Sequence, residues 1–275
     1  DILTLDLDTL EYRANKKASF ATLELTKTIE KPIDRFKVLV TGKDKAGDFY
    51  RKNFASMFQY CSNRIPEITD AFYKIDDAMK AGFGWENGPF EIWDAIGIEK
   101  GIELMKAEGY QPASWVTDML ASGNTSFYSI KDGATHFYSI TNKKVEKIPG
   151  QDAFIILNNI RESKKIWNNS DAIITDLGDG IINLEFTSKM NSIGAGVLQG
   201  INKAIDIAEK DYNGLVIGNQ GANFSVGANL GMIFMMAVEQ EYDELNMAIK
   251  MFQDTMMRCR YSAIPVIAAP HGMTL

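Results

Sequence analysis

Cysteine and histidine are scarce in this chain of 275 residues, with only two of each. Cys61 and Cys259 lie far apart, which excludes a disulfide framework, offers no metal-ligand spacing and fits a reducing compartment. His136 and His271 are too isolated to build a Ser-His-acid order or a paired-histidine metal site, so no metal is expected. No window holds about 18 uninterrupted apolar residues, so no membrane span is expected. Positive charge is also in deficit: 29 Lys and Arg against 36 Asp and Glu leave a net charge of -7. That balance argues against nucleic acid or an anionic membrane surface as the main partner. No internal repeat or low-complexity tract is present. A cytoplasmic location is expected.

What is present is ordinary for a globular chain, 45% hydrophobic and 24% charged, with enough length for about two domains. Residues 1–32 read as a connector, polar and weakly patterned. Residues 33–167 read as mainly helical. Apolar side chains recur at helical spacing over 46–64, with Phe49, Phe54, Met57, Phe58 and Cys61, and again from Pro66 to Met79. Pro89 suits the first turn of a further helix, and short helices are expected at 100–108 and 114–121. The period changes at 125–140, where Asp132-Gly133 between two aromatic runs predicts a hairpin. Residues 152–167 read as a helix. From residue 168 the pattern alternates as β-β-α-β-α, ending in an apolar strand at 264–269.

Two glycine-rich stretches are candidate sites. Gly194-Ala195-Gly196 with Gly200 resembles a dinucleotide fingerprint, but the third glycine is one position too far on. With a helix expected to start at Ser192, the glycines would lie inside it, so no NAD site is expected in this chain. Residues 214–230 are different. A short apolar strand runs into a polar glycine bend and then into Phe224-Ser225-Val226-Gly227-Ala228-Asn229-Leu230, with Asn229 as a helix N-cap. Strand, tight glycine turn and helix start place free backbone N–H groups around a reacting oxygen or a phosphate. The methionines of the last helices read as core filler or as the lining of an acyl-chain pocket.

The loop FSVGANL, followed by the strand and turn IPVIAAPHGMTL, resembles the enoyl-CoA hydratase/isomerase (crotonase) superfamily, which pairs F-x-x-G-A-D-L with a later K-P-V-I-A-A strand leading to a glycine triplet. Ser188-Lys189-Met190-Asn191-Ser192 is similar to that superfamily's early K-x-x-N-A segment, which contacts CoA. The resemblance implies a CoA thioester substrate and an oxyanion hole in which Ala228 gives one backbone N–H. Gly227 would shape the loop, and Lys189, Met190 and Asn191 would flank CoA. The second donor belongs to the glycine triplet and the catalytic glutamates follow it, both beyond Leu275. Asn229 stands where Asp is commonest.

Asp76-Asp77-Ala78-Met79-Lys80-Ala81-Gly82, followed by Gly88-Pro89-Phe90-Glu91 and Asp94, resembles the C-terminal helical domain of 3-hydroxyacyl-CoA dehydrogenases. That resemblance implies NAD bound by a preceding domain, Gly88, Pro89 and Phe90 on the substrate side or at a domain interface, and a homodimer through the helical domain. Asp76, Asp77 and Glu91 read as caps and solvated groups. Together the two resemblances imply an α plus α/β chain: a dehydrogenase-type helical domain at 33–167, then the N-terminal part of an incomplete crotonase-type ββα spiral at 168–275. The expected parent is a bifunctional β-oxidation enzyme of which this is an internal fragment, itself inactive. The rival expectation is a non-catalytic helical interaction module carrying a degenerate crotonase-like domain.

Overall fold

The computed structural model describes residues 2–29 and 31–275. Asp1 and Glu30, both within the expected connector, lie outside the described residues. Among the described residues two compact units form. One runs to Lys131 and resumes at Thr135–Ile148; the other holds Asp132–Ala134 and Pro149–Leu275.

The first unit opens with a two-stranded antiparallel ribbon, β1 (Leu3–Leu5) and β2 (Tyr12–Ala14), then α1 (Ala21–Thr26), so the stretch expected as a connector carries structure of its own. Helices α2 (Pro32–Thr41), α3 (Lys45–Asn63), α4 (Tyr73–Phe83), α5 (Pro89–Ile96), α6 (Ile98–Ala107) and α7 (Ser114–Ala121) follow. Asp44 caps α3 by accepting the Gly47 N–H at 2.9 Å and also accepts the Thr22 N–H at 2.9 Å, which ties α1 to α3. Residues 66–72 precede α4 rather than forming its first turns, and Phe49, expected on the apolar face, is exposed.

Trp93 organises this core. It is fully buried, stacks on Phe58 with centroids 4.7 Å apart, and donates its indole N–H to Ile98 O at 3.0 Å. Phe72, Phe90 and Phe127 pack around it, all but inaccessible. Strands β3 (Tyr128–Lys131), β4 (Ala134–Ser139) and β5 (Lys144–Lys147) form a sheet in that order. The hairpin turn has φ of 52° at Asp132 and 74° at Gly133, as a type I′ turn needs.

The second unit has a five-stranded sheet in the order β10-β9-β8-β7-β6: β6 (Lys165–Asn168), β7 (Ala172–Gly178), β8 (Ile181–Phe186), β9 (Gly214–Ile217) and β10 (Val266–Ala268). The β6, β7 and β8 pairings are antiparallel, whereas β8, β9 and β10 run parallel. The helices are α8 (Leu157–Ile160), α9 (Ala195–Asp211), α10 (Leu230–Val238) and α11 (Tyr242–Arg260). Val197, Ile201, Ala204, Ile205 and Ala208 of α9 are buried with Ile174, Ile182, Leu184 and Leu215 of the sheet.

Two expectations are corrected here. Residues 152–167 are not one helix. They hold a 3-10 turn, the single-turn α8 and the start of β6, because Trp167 pairs with Ile174 across the sheet and that pairing overrides the local helical pattern. Helix α9 begins at Ala195 rather than Ser192, since Ile193 instead makes a parallel bridge to Ala228 and Gly194 takes the extended N-cap position.

Candidate functional site

The loop from β9 to α10 folds back on the segment before α9. Lys189–Asn191 is a 3-10 turn with left-handed backbone at Met190 (φ 56°) and Asn191 (φ 54°), which turns the Met190 side chain out, 62% exposed. Asn191 Nδ2 donates to Asn223 O at 2.9 Å, and Ile193 N–H donates to Gly227 O at 2.8 Å. Lys189 is exposed, and among the described residues no carboxylate pairs with it. The structure thus brings together the candidate residues Lys189, Met190, Asn191, Gly227 and Ala228.

Gly227 sits at φ 80°, a conformation that favours glycine, and a Cβ there would meet Leu275 Cβ tightly, at 3.2 Å. A peptide unit is planar and trans, so its C=O and N–H point to opposite sides. The Ile193 N–H holds Gly227 C=O on one side; the Ala228 N–H therefore points to the other. Among the described residues the Ala228 N–H has no hydrogen-bond acceptor, and Ala228 lines an open cleft. Asn229 then caps α10 by accepting the Met232 N–H at 3.2 Å, as its position in the loop predicts.

The cleft has a volume of about 330 Å³ and lies between the start of α9 and helices α10 and α11. Leu198, Met232, Ile233, Met236, Ile249 and Phe252 give it an apolar lining, Ala228 and Asn229 line it as well, and none of its lining side chains ionises. Met251 lines it too, so part of the methionine stripe faces a cavity rather than a packed core. The cleft can therefore hold an apolar chain, and the unpaired Ala228 N–H belongs to a residue that lines it. It has no general acid or base of its own.

Sequence reasoning missed Ser225. It is fully buried within the loop, donates its hydroxyl to Asn191 O at 2.8 Å and accepts the Gly227 N–H at 3.0 Å. It also missed Gln220, whose side chain accepts the Leu157 N–H at 2.8 Å and donates to Ile155 O at 2.7 Å. A serine and a glutamine in a polar glycine bend carry no signal that distinguishes such contacts from surface positions.

The candidates in the helical unit occupy its core. Gly88 is the N-cap of α5 and Pro89 its first residue, while Phe90 is wholly inaccessible. Glu91 accepts the Gly88 N–H at 2.8 Å and pairs with Lys80 at 2.7 Å. Asp76 was expected to cap and to be solvated. It caps, but it is fully buried: its carboxylate accepts the Phe90 N–H at 2.9 Å, the Glu91 N–H at 3.1 Å and the Tyr128 hydroxyl at 2.7 Å. Burial pushes its carboxyl up to about 7 despite those bonds, and pushes Asp94 up to about 6.

The glycines of the dinucleotide-like stretch do not fit such a cofactor. Gly196 and Gly200 lie inside α9, where an added Cβ would collide with Asp171 and with Ala172. Their role is close packing against β7. Among the described residues no group of three His, Cys, Asp or Glu could hold a metal, and no helix is long and apolar enough to cross a membrane.

The fold and the site define an α/β unit in which a glycine turn leaves one backbone N–H without an acceptor, on a residue that lines an apolar cleft. No family model matches the chain. Over all 275 residues it is 42% identical to a Bacillus subtilis (strain 168) protein named as a probable 3-hydroxyacyl-CoA dehydrogenase, covering 35% of that protein. Over 229 residues, 83% of the chain, it is 26% identical to a Rickettsia felis protein named as a fatty acid oxidation complex trifunctional enzyme, covering 29% of it. The chain thus spans about a third of the length of these curated relatives. Among solved structures, it is similar to an enoyl-CoA hydratase from Polaromonas sp. JS666 over 37% of this chain and 40% of that one, at 24% identity and a TM-score of 0.34. An enoyl-CoA hydratase from Bacillus anthracis gives 20% identity over 37% and 40% of the two chains, with a TM-score of 0.33.

Proposed function

We propose that this chain is part of a fatty-acid β-oxidation enzyme that hydrates enoyl-CoA and oxidises 3-hydroxyacyl-CoA, and that its second unit supplies half of the thioester site. The observation that carries this reading is the unpartnered N–H of Ala228, a residue that lines an apolar cleft. That N–H would donate to the thioester carbonyl oxygen as negative charge develops on it. Gly227 gives the turn its left-handed conformation. Lys189 offers an unpaired cation and Met190 an exposed side chain for the CoA moiety, on a turn that Asn191 ties to the loop. The acyl chain would lie along Met232 and Met236. In the helical unit, Gly88, Pro89 and Phe90 would act by setting the core of a dehydrogenase-type domain, one that pairs with a second copy. NAD would be held by residues other than these.

On this reading the cleft binds a thioester without turning it over. The cleft holds no ionisable side chain to move a proton. Calorimetric titration with acetoacetyl-CoA tests the reading. We expect weak binding, with Kd of roughly 0.1–1 mM, and no hydration of crotonyl-CoA above background. Absence of binding at several times that concentration range, or measurable hydratase turnover, contradicts it.

A further inference from the structure

The Ala228 N–H is aimed by the two peptide units that flank Gly227. The unit after Gly227 is held through its C=O by the Ile193 N–H at 2.8 Å. The unit before it is held through its N–H by the Ser225 hydroxyl at 3.0 Å. With both planes fixed, the rotation at Gly227 is fixed as well, at φ 80°. Glycine has no intrinsic preference for that value, so the constraint comes from the two bonds.

Ser225 does more than hold one amide. A hydroxyl has a single proton, and this one is donated to Asn191 O at 2.8 Å, at the end of the Lys189–Asn191 turn. Its backbone binds a third segment, with Ser225 N–H to Met273 O at 3.2 Å and Leu275 N–H to Ser225 O at 3.1 Å. Three segments distant in sequence therefore meet at one wholly buried serine.

Resting on the thioester reading above, we infer that Ser225 is a positioning residue: its hydroxyl couples the Lys189–Asn191 turn to the rotation at Gly227 and so sets the direction of the Ala228 N–H. It touches no ligand. Its effect falls on recognition of the thioester carbonyl and not on recognition of the CoA moiety.

The test compares acetoacetyl-CoA with free CoA on the full chain, as wild type, Ser225→Ala and Ser225→Cys, with affinities from amide-shift titrations. One aligned hydrogen bond to the carbonyl contributes about three- to tenfold to the wild type's preference for the thioester. In Ser225→Ala that preference falls by about this factor while free-CoA affinity stays within about twofold. Ser225→Cys keeps a weaker donor and acceptor in place and restores an intermediate preference; it decides the matter if the alanine variant does not fold. A preserved preference in both variants overturns the inference, as does an equal loss for both ligands, which is the mark of a structural role alone. A wild type that binds neither ligand overturns the thioester reading itself, and the inference falls with it.

Discussion

The Asp76 carboxylate accepts the Phe90 N–H at 2.9 Å, so a residue of α4 caps the start of α5, fourteen positions away. The same carboxylate takes the Tyr128 hydroxyl at 2.7 Å, joining two helices and the first strand of the hairpin. An N-terminal anion also complements the helix dipole. Replacing Asp76 with Ala leaves three donors without an acceptor, the Phe90 N–H buried and the Glu91 N–H and Tyr128 hydroxyl partly so. We expect a loss of about 2–4 kcal/mol in urea unfolding, more than an ordinary exposed cap costs.

Gly88 serves the same junction through its lack of a side chain. Its φ of -79° suits any residue, but an added Cβ would overlap the Asp76 side chain and its Cα. Gly88→Ala must push α4 and α5 apart or break the Asp76 cap. The expected cost is about 1–3 kcal/mol, read as a lowered Tm. If the helical unit melts as the wild type does, the junction is looser than described.

Both buried carboxyls have a pH consequence. Burial raises Asp76 to about 7 and Asp94 to about 6, against an ordinary 3.8. The folded chain therefore holds these protons more tightly than the unfolded chain. Their contribution is fully present below the unfolded value and is lost as pH rises through the folded values. Urea midpoints for the wild type should fall between about pH 4 and pH 7 from this source, and Asp76→Asn should flatten that slope. A wild-type slope left unchanged by Asp76→Asn refutes the assignment.

Gly227→Ala combines a left-handed φ of 80° with a Cβ placed 3.2 Å from Leu275 Cβ. We expect the strain, about 1–2 kcal/mol, to be relieved by rotation of the turn, so that stability falls modestly while the preference for acetoacetyl-CoA over free CoA drops by about three- to tenfold. The two ligands titrated side by side report the outcome.

Met236 lines the apolar cleft. If the cleft takes the acyl chain, each buried methylene adds up to about 0.8 kcal/mol, so hexanoyl-CoA should bind more tightly than acetyl-CoA. Met236→Trp fills the space and should erase that difference while leaving free-CoA binding as it was. An unchanged chain-length dependence in Met236→Trp places the acyl chain elsewhere.

Local features were the legible ones. Gly88-Pro89 at a helix start, Asp132-Gly133 in a hairpin turn and Asn229 as an N-cap each follow from the backbone preference of those residues, and the structure has them so. Features that depend on a distant partner were not legible. Trp167 belongs to a strand because of Ile174, and the charged residues around it read as a helix until that pairing is known. The burial of Asp76 depends on Phe90 and Tyr128 closing over it. In the candidate site, the glycine loop and Ala228 were readable as a motif. The Ser225 contact with Asn191, 34 positions away, was not.

The central claim is that the Ala228 N–H faces a thioester oxygen, and its own amide resonance tests it most directly. In an amide-shift titration of the wild type, acetoacetyl-CoA should move Ala228 and Gly227 together with Lys189–Asn191, whereas free CoA should move Lys189–Asn191 and leave Ala228 near its starting position. An Ala228 amide that stays still under acetoacetyl-CoA while other residues shift contradicts the account, and shifts clustered instead around Tyr60, Arg64 and Lys74 in the cleft between α3 and α4 would place the ligand in the other unit.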